Sequence, residues 1–206
     1  MSGAAPLVLA STSRSRQALL ARLEVPFEAA AHRFDERGAD AHLTALGVHG
    51  LALHLARGKA ESLADAHPSQ AILAADQLAV LAEPDGPTLL HKPASEAAAV
   101  AQLMRLRGRS HRLVTGVVLL HRPAGPGQAR ASSTALDEQH LHMRAFDEAE
   151  AAAYVARYQP LDSCGAYHIE DAGIRLFERI ASEDYTGIIG LPLLAVARLL
   201  REGGLM

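Results

Sequence analysis

Tryptophan is absent from this chain, cysteine occurs once and aromatic side chains make up only 4% of it, and each scarcity closes off a class of protein. The lone Cys164 excludes an internal disulfide and leaves no thiolate cluster for zinc, as suits a reducing compartment. No apolar run reaches the roughly 18 residues from which a membrane-crossing helix is read, and no basic segment followed by an apolar stretch of leader length opens the chain. Cytoplasmic residence without a membrane partner is the expectation. Positive charge is not in excess either. The formal net charge is −3, which lacks the global field of a protein that coats nucleic acid, so no nucleic-acid partner is expected. Missing, finally, are the spaced glycines of a dinucleotide turn and the Gly-Lys-Ser/Thr of a P-loop, which weighs against a dinucleotide-dependent oxidoreductase.

What is present favours helix. Apolar residues make up 49% of the chain, many of them alanine, and 206 residues fit a single α/β domain over 1–206, with a substantial core and room for two lobes. Leu7 to Ala10 is an apolar, strand-like run, and Ala71 to Ala75 has the pattern of a strand buried on both faces, continuing toward Leu81. Helices are expected from Ser13 to about Leu23, Val48 to about Ala66, Ser95 to about Leu106, Asp147 to about Tyr158 and Leu191 to about Arg201. Ser95 serves as a cap, Asp147 with Glu150 forms a capping-box-like start, and Pro192 stands in the first turn of the last helix. Gly58 weakens the middle of its helix by roughly 1 kcal/mol relative to Ala. The chain reads as strand over His111 to His121, Ala131 to Met143 and Ile174 to Ile180. Loops are expected at Pro123 to Gln128, Pro160 to Gly173 and Ser182 to Gly190. Strands and helices alternate, so the fold class is α/β.

The chemistry gathers first at Ser11-Thr12-Ser13-Arg14-Ser15-Arg16, where a strand ends in hydroxyls and guanidiniums just as a helix begins. Hydroxyl donors, fixed positive charge and the unpaired N–H groups of a helix start together suit a phosphate. The alternative is an ordinary turn capped by Ser13 with solvated arginines. Asp76, at the end of an apolar strand, would stand at the sheet edge where open α/β folds place ligands, and either holds a divalent metal or activates water; a turn aspartate is the plainer alternative. Glu36, Lys59, Lys92 and Glu170 complete a mixture of carboxylates and cations. That mixture suits hydrolysis of a nucleoside triphosphate: carboxylates take Mg²⁺ or Mn²⁺, while Arg and Lys neutralise the polyphosphate.

Ala10-Ser11-Thr12-Ser13 through Arg16 and Leu19-Leu20, Asp35-Glu36, Lys59-Ala60, Ala75-Asp76-Gln77, Lys92-Pro93, Thr115-Gly116 and Gly190-Leu191-Pro192 follow one another in an order that resembles the Maf family of nucleoside triphosphate pyrophosphatases, from Leu7 to about Leu200. The resemblance implies a mixed-sheet fold like that of inosine triphosphate pyrophosphatases, with two lobes around a nucleotide cleft, usually in a homodimer. It implies a metal-dependent cut between the α and β phosphates, using Mg²⁺, Mn²⁺ or Co²⁺. Asp76 as general base, with Lys59 and Lys92, would be catalytic. Ser11, Ser13, Arg16, Gln77, Thr115 and Glu170 would bind substrate, and Glu36 with Asp76 would hold the metal. Arg14 stands where the family usually has proline, so Arg16 is the expected phosphate ligand of the two arginines.

Asp76-Gln77 and the loop Cys164-Gly165-Ala166-Tyr167-His168-Ile169-Glu170 resemble the branch that hydrolyses 7-methyl-GTP, whereas the dTTP/UTP branch usually has Asp-Thr and a loop ending in Gln. A carboxylate such as Glu170 can accept hydrogen bonds from the guanine N1–H and exocyclic amine, and it favours the positive charge that N7 methylation adds. Against this, Ala166-Tyr167-His168 replaces the Ser-Phe-Lys common in that branch, Tyr167 and Ile169 look more like the pyrimidine branch, and Asp184-Tyr185 replaces Asp-Pro. Family members have also been linked to septum formation, so a nucleotide-binding regulator is the competing class. His140 and His142 fall on one strand face and are read as surface or interface residues, and Cys164 as a small buried filler.

Overall fold

The fold is described from a computed structural model, which covers residues 7–36, 38–122 and 129–206. The loop expected at Pro123 to Gln128 lies outside the described residues. Seven strands and six α-helices are present among those described. In chain order they are β1 (Leu7–Leu9), α1 (Arg14–Ala21), β2 (Phe27–Ala29), α2 (Leu43–Glu61), β3 (Ile72–Glu83), β4 (Gly86–Leu90), α3 (Glu96–Leu106), β5 (Ser110–His121), β6 (Ala131–Met143), α4 (Glu148–Tyr158), β7 (Phe177–Ala181), α5 (Thr186–Ile189) and α6 (Leu193–Glu202). The sheet order is β2-β1-β3-β5-β6-β7, with β4 attached to β3. It is mixed: β1 runs parallel to β2 and β3, while β4 lies antiparallel to β3 and β7 to β6. The chain divides into two compact units, one comprising Met1–Gln77, Thr115–Asp137 and Asp184–Met206, the other Leu78–Val114 and Glu138–Glu183.

In the first unit, strand alternation sorts the core into two layers. Leu7, Leu9, Leu73, Ala75, Val117 and Leu119 pack on one face with Leu19 and Leu20 of α1 and Val196, Leu199 and Leu200 of α6. Val8, Ala10, Ile72, Ala74, Val118 and Leu120 pack on the other with Ala56 and Ala60 of α2 and with Leu63. Burying each large aliphatic side chain contributes about 1.5–3 kcal/mol, and a one-residue slip would exchange the faces, so this double burial pins the register of β1 on β3. Gly116 has a steric reason: a Cβ there would lie 2.5 Å from the main chain of Ala52, so β5 and α2 approach closely only without one. Gly58, which costs helix propensity, gives its place to the Phe34 ring, since a Cβ would lie 2.4 Å from it.

In the second unit, α3 packs against α4, and β4 closes a hairpin on the distal half of β3 with Glu83 opposite Gly86. Both helices begin at the caps their sequences predict, Ser95 Oγ accepting from Ala98 N and Asp147 Oδ1 from Glu150 N, but the Glu150 carboxylate pairs with Arg144 and no reciprocal capping-box bond is found among the described residues.

Four expectations are corrected. The second helix spans 43–61, not 48–66: its first turn lies before a break at Gly47, whose φ of 65° is left-handed, and its last residues relax into turns before Pro68. Gly173–Leu176 is a 3-10 turn, not the start of a strand, because the left-handed Ala172 turns the chain before β7. Residues 186–189, expected as loop, form the single turn α5. Cys164 is half-buried, not a buried filler.

Candidate active site

The turn after β1 sits where the sequence places it. Ser13 is the N-cap of α1, its hydroxyl accepting from Arg16 N at 3.4 Å, while buried Ser11 accepts from Ser13 N at 3.2 Å. Arg16 turns back toward the C-terminal segment and donates its Nε to the carbonyl of Gly190 at 2.9 Å, whereas Arg14 is exposed. The two arginines therefore differ: one is anchored beside the cap and the other faces solvent.

Lys59 and Asp76 meet in the same unit. Lys59 lies on the buried face of α2, at 6% exposure, in register with Ala52, Ala56 and Ala60, whose small side chains let the helix settle on the sheet. Asp76 is on β3 at 7% exposure, and the ammonium donates to its carboxylate. Lys59 Nζ is also 3.2 Å from Glu36 Oε1, so two carboxylates converge on one cation. Glu36 reaches in from an irregular segment held by the Phe34 ring against Gly58. On that segment His32 Nε2 stands 3.3 Å from Glu36 Oε1. Burial, then the Lys59 ammonium, pushes the His32 imidazole below its ordinary range.

Gln77 follows Asp76 on β3. Its Nε2 donates to Thr115 Oγ1 at 2.9 Å and to the carbonyl of Gly187 at 2.6 Å. Thr115 is fully buried, so its hydroxyl acts on Gln77.

Lys92 and Glu170 belong to the second unit and both are exposed. Glu170 lies in the segment between α4 and the 3-10 turn. That segment is tied down by Tyr154, whose hydroxyl accepts from His168 N and donates to His168 O. It is tied again by the His168 ring, between Asp162 at 2.7 Å and Asp171 at 3.2 Å. Beneath it His111 and Tyr167 form a buried pair at 2.8 Å. Gly165 is required there, since a Cβ would lie 2.2 Å from the Tyr167 ring.

The first unit thus brings together Ser11, Ser13 and Arg16, joins Lys59 to Asp76 and Glu36, and joins Gln77 to Thr115. His140 is 62% exposed and His142 lies between Ser110 and Glu178, in keeping with surface histidines. Sequence reasoning missed His32 and Thr186, and it named Asp184 only for the tyrosine that follows it; Asp184 and Thr186 turn out to be buried and hydrogen-bonded to each other. Only the four-residue spacing from His32 to Glu36 hinted at the first, and outside a helix that spacing carries no meaning.

Comparison with known proteins places the chain in a family. The profile described as Maf-like protein matches residues 6–203. The chain belongs to the Maf family. It is 39% identical over 200 residues to a 7-methyl-GTP pyrophosphatase of Chromohalobacter salexigens, covering 97% of this chain and 96% of that protein. A protein of the same description from Pseudomonas aeruginosa is 35% identical over 198 residues, with 96% of each covered, and one from Alkalilimnicola ehrlichii is 38% identical over 190 residues, with 92% and 88% covered. In this Maf-family chain no described helix is long and apolar enough to cross a membrane.

Proposed function

We propose that this Maf-family chain hydrolyses a nucleoside triphosphate to the monophosphate and pyrophosphate, with 7-methyl-GTP as the preferred substrate, and so clears a modified nucleotide. The observation that carries the reading is the buried Lys59 drawn between Asp76 and Glu36, on the unit that also holds the Ser11 to Arg16 turn. A module that only gripped phosphate would have no use for carboxylates beside its cations. The descriptions of its relatives point the same way.

The two carboxylates fit a hard divalent cation. Both reach the Lys59 ammonium and so converge on one place, and both offer only oxygen. Among the described residues no group of three or more His, Cys, Asp or Glu side chains is arranged to hold a metal, so the remaining ligands would be water and phosphate, as is usual for Mg²⁺. Glu36 and Asp76 would hold the ion, which when bound neutralises phosphate charge. Ser11, Ser13 and Arg16 bind the polyphosphate, and Lys59 stabilises charge growing on it. Asp76 takes the proton of a water whose oxygen attacks the α-phosphorus; the bond from that phosphorus to the bridging oxygen breaks, and pyrophosphate leaves with the electron pair. Thr115 serves by holding Gln77. Lys92 is assigned to charge neutralisation and Glu170 to recognition of the base. Residence in the cytoplasm and a homodimer complete the reading.

A panel of canonical and methylated triphosphates, assayed for pyrophosphate release with Mg²⁺, Mn²⁺ and Co²⁺, tests it. The expected result is metal-dependent release that is fastest with 7-methyl-GTP and abolished in Asp76→Asn with nucleotide binding retained. Fastest turnover of dTTP or UTP would move the chain to the pyrimidine branch. No turnover of any nucleotide would leave a binding regulator. Glu170→Gln is expected to lose the preference for 7-methyl-GTP over GTP.

A further inference from the structure

Helix α6 opens on Pro192, whose side chain caps nothing, yet its first amides are satisfied from a distance. Leu193 N donates to Thr186 Oγ1 at 2.8 Å and Leu194 N to Asp184 Oδ2 at 2.7 Å. The other carboxylate oxygen of Asp184 accepts from Thr186 N at 3.0 Å and from the Thr186 hydroxyl at 2.5 Å. Thr186 thereby spends its hydroxyl both as donor and as acceptor, and its carbonyl accepts from Gly190 N and Leu191 N. Asp184 and Thr186 are 7% and 3% exposed. Residues 184–194 are thus closed into a rigid knot.

The carbonyls that leave this knot point at two residues assigned to substrate. Gly187 O accepts from Gln77 Nε2 and Gly190 O from Arg16 Nε. A carbonyl can only accept, so the Gln77 amide is oriented without ambiguity: its nitrogen faces the knot and its Oε1 is the end left to meet a donor. We propose that Asp184 and Thr186 are positioning residues, which fix the Gly187 and Gly190 carbonyls so that Gln77 presents Oε1 as a hydrogen-bond acceptor and Arg16 is held in one orientation. The partner for Gln77 Oε1 is an N–H or hydroxyl donor of the nucleoside. This rests on the assignment of Arg16 and Gln77 to substrate, but the orientation itself does not depend on turnover.

Thr186→Val keeps the shape and removes the hydroxyl, while Thr186→Ser restores it. In the full-length protein, the Gln77 side-chain amide gives two slowly exchanging proton signals in wild type and Thr186→Ser; in Thr186→Val these move to the position and exchange rate of a solvated glutamine. The KM for 7-methyl-GTP is expected to rise about tenfold in Thr186→Val, the loss typical of one good hydrogen bond, and to return to within about twofold in Thr186→Ser. Adding Thr186→Val to Gln77→Ala is expected to cost less than Thr186→Val costs in wild type, the remainder passing through Arg16. Asp184→Asn repeats the test should Thr186→Val fail to fold. If either variant melts at a lower temperature while the Gln77 signals and KM stay unchanged, the pair merely caps α6 and the proposal is overturned. If wild type releases no pyrophosphate, the functional reading fails, and the amide signals alone decide the orientation.

Discussion

An ammonium on the buried face of a helix is a liability unless something compensates it, because desolvating a charge costs several kcal/mol. Lys59 is compensated twice, by Asp76 and Glu36, and its removal would leave two carboxylates facing one another. Lys59→Met is therefore expected to fail in two ways. In the proposed reaction Lys59 serves the transition state, and its loss there lowers kcat by about a hundred- to a thousandfold, roughly 3–4 kcal/mol. The exposed partner, Glu36, is expected to swing away from Asp76, so the concentration of divalent metal giving half-maximal rate rises as well. Steady-state kinetics over a metal titration checks both. Lys59→Arg is not expected to rescue, since a bulkier planar guanidinium replaces a compact ammonium at a position only 6% exposed.

At the scale of elements, Gly58 on α2 couples helix propensity to site geometry. Gly58→Ala gains roughly 1 kcal/mol of propensity, but its Cβ would lie 2.4 Å from the Phe34 ring and expel it. Phe34 and Glu36 share one short segment, so the expected outcome is a weaker metal response with a folded helix, measured by Mn²⁺ binding and circular dichroism. Gly116→Ala meets the Ala52 backbone, which cannot swing aside, and is expected to cost about 1–3 kcal/mol in denaturant unfolding. The same contrast explains what the sequence could tell. The caps at Ser95 and Asp147 were legible, and that at Ser13 was one of two readings of its turn, because a cap is a local bond across three residues. Strand β6 was legible over its full length, Ala131–Met143. Strand β4 was not, because Gly86 and Pro87 disguise a strand that forms only by pairing with β3. Motif order supplied the candidate residues, but not that Lys59 would be shared by two acids, or that Thr115 would face Gln77. Those facts come from contacts between residues distant in the chain.

At the scale of the whole molecule, stability acquires a pH dependence from one buried imidazole. His111 is 2% exposed, its Nε2 lies 2.8 Å from the Tyr167 hydroxyl, and the rings of Tyr167 and Phe177 pack against it. Burial pushes its pKa down from 6.5 to about 4. The folded protein thus keeps His111 neutral over a range in which the unfolded chain protonates it. Between those two values the unfolded state binds more protons, so stability falls as pH drops below about 6.5 and levels off near 4. A shift of this size corresponds to about 3 kcal/mol at the acid end of the window. His111→Gln retains a hydrogen-bonding side chain for Tyr167 but cannot titrate. Equilibrium urea unfolding at half-unit steps from pH 7 to pH 4 is expected to show a shallower decline for the variant than for wild type, with the gap opening below pH 6.5. Parallel declines would mean that His111 is protonated in the folded state, and that the aromatic cluster of the second unit is open to water in solution.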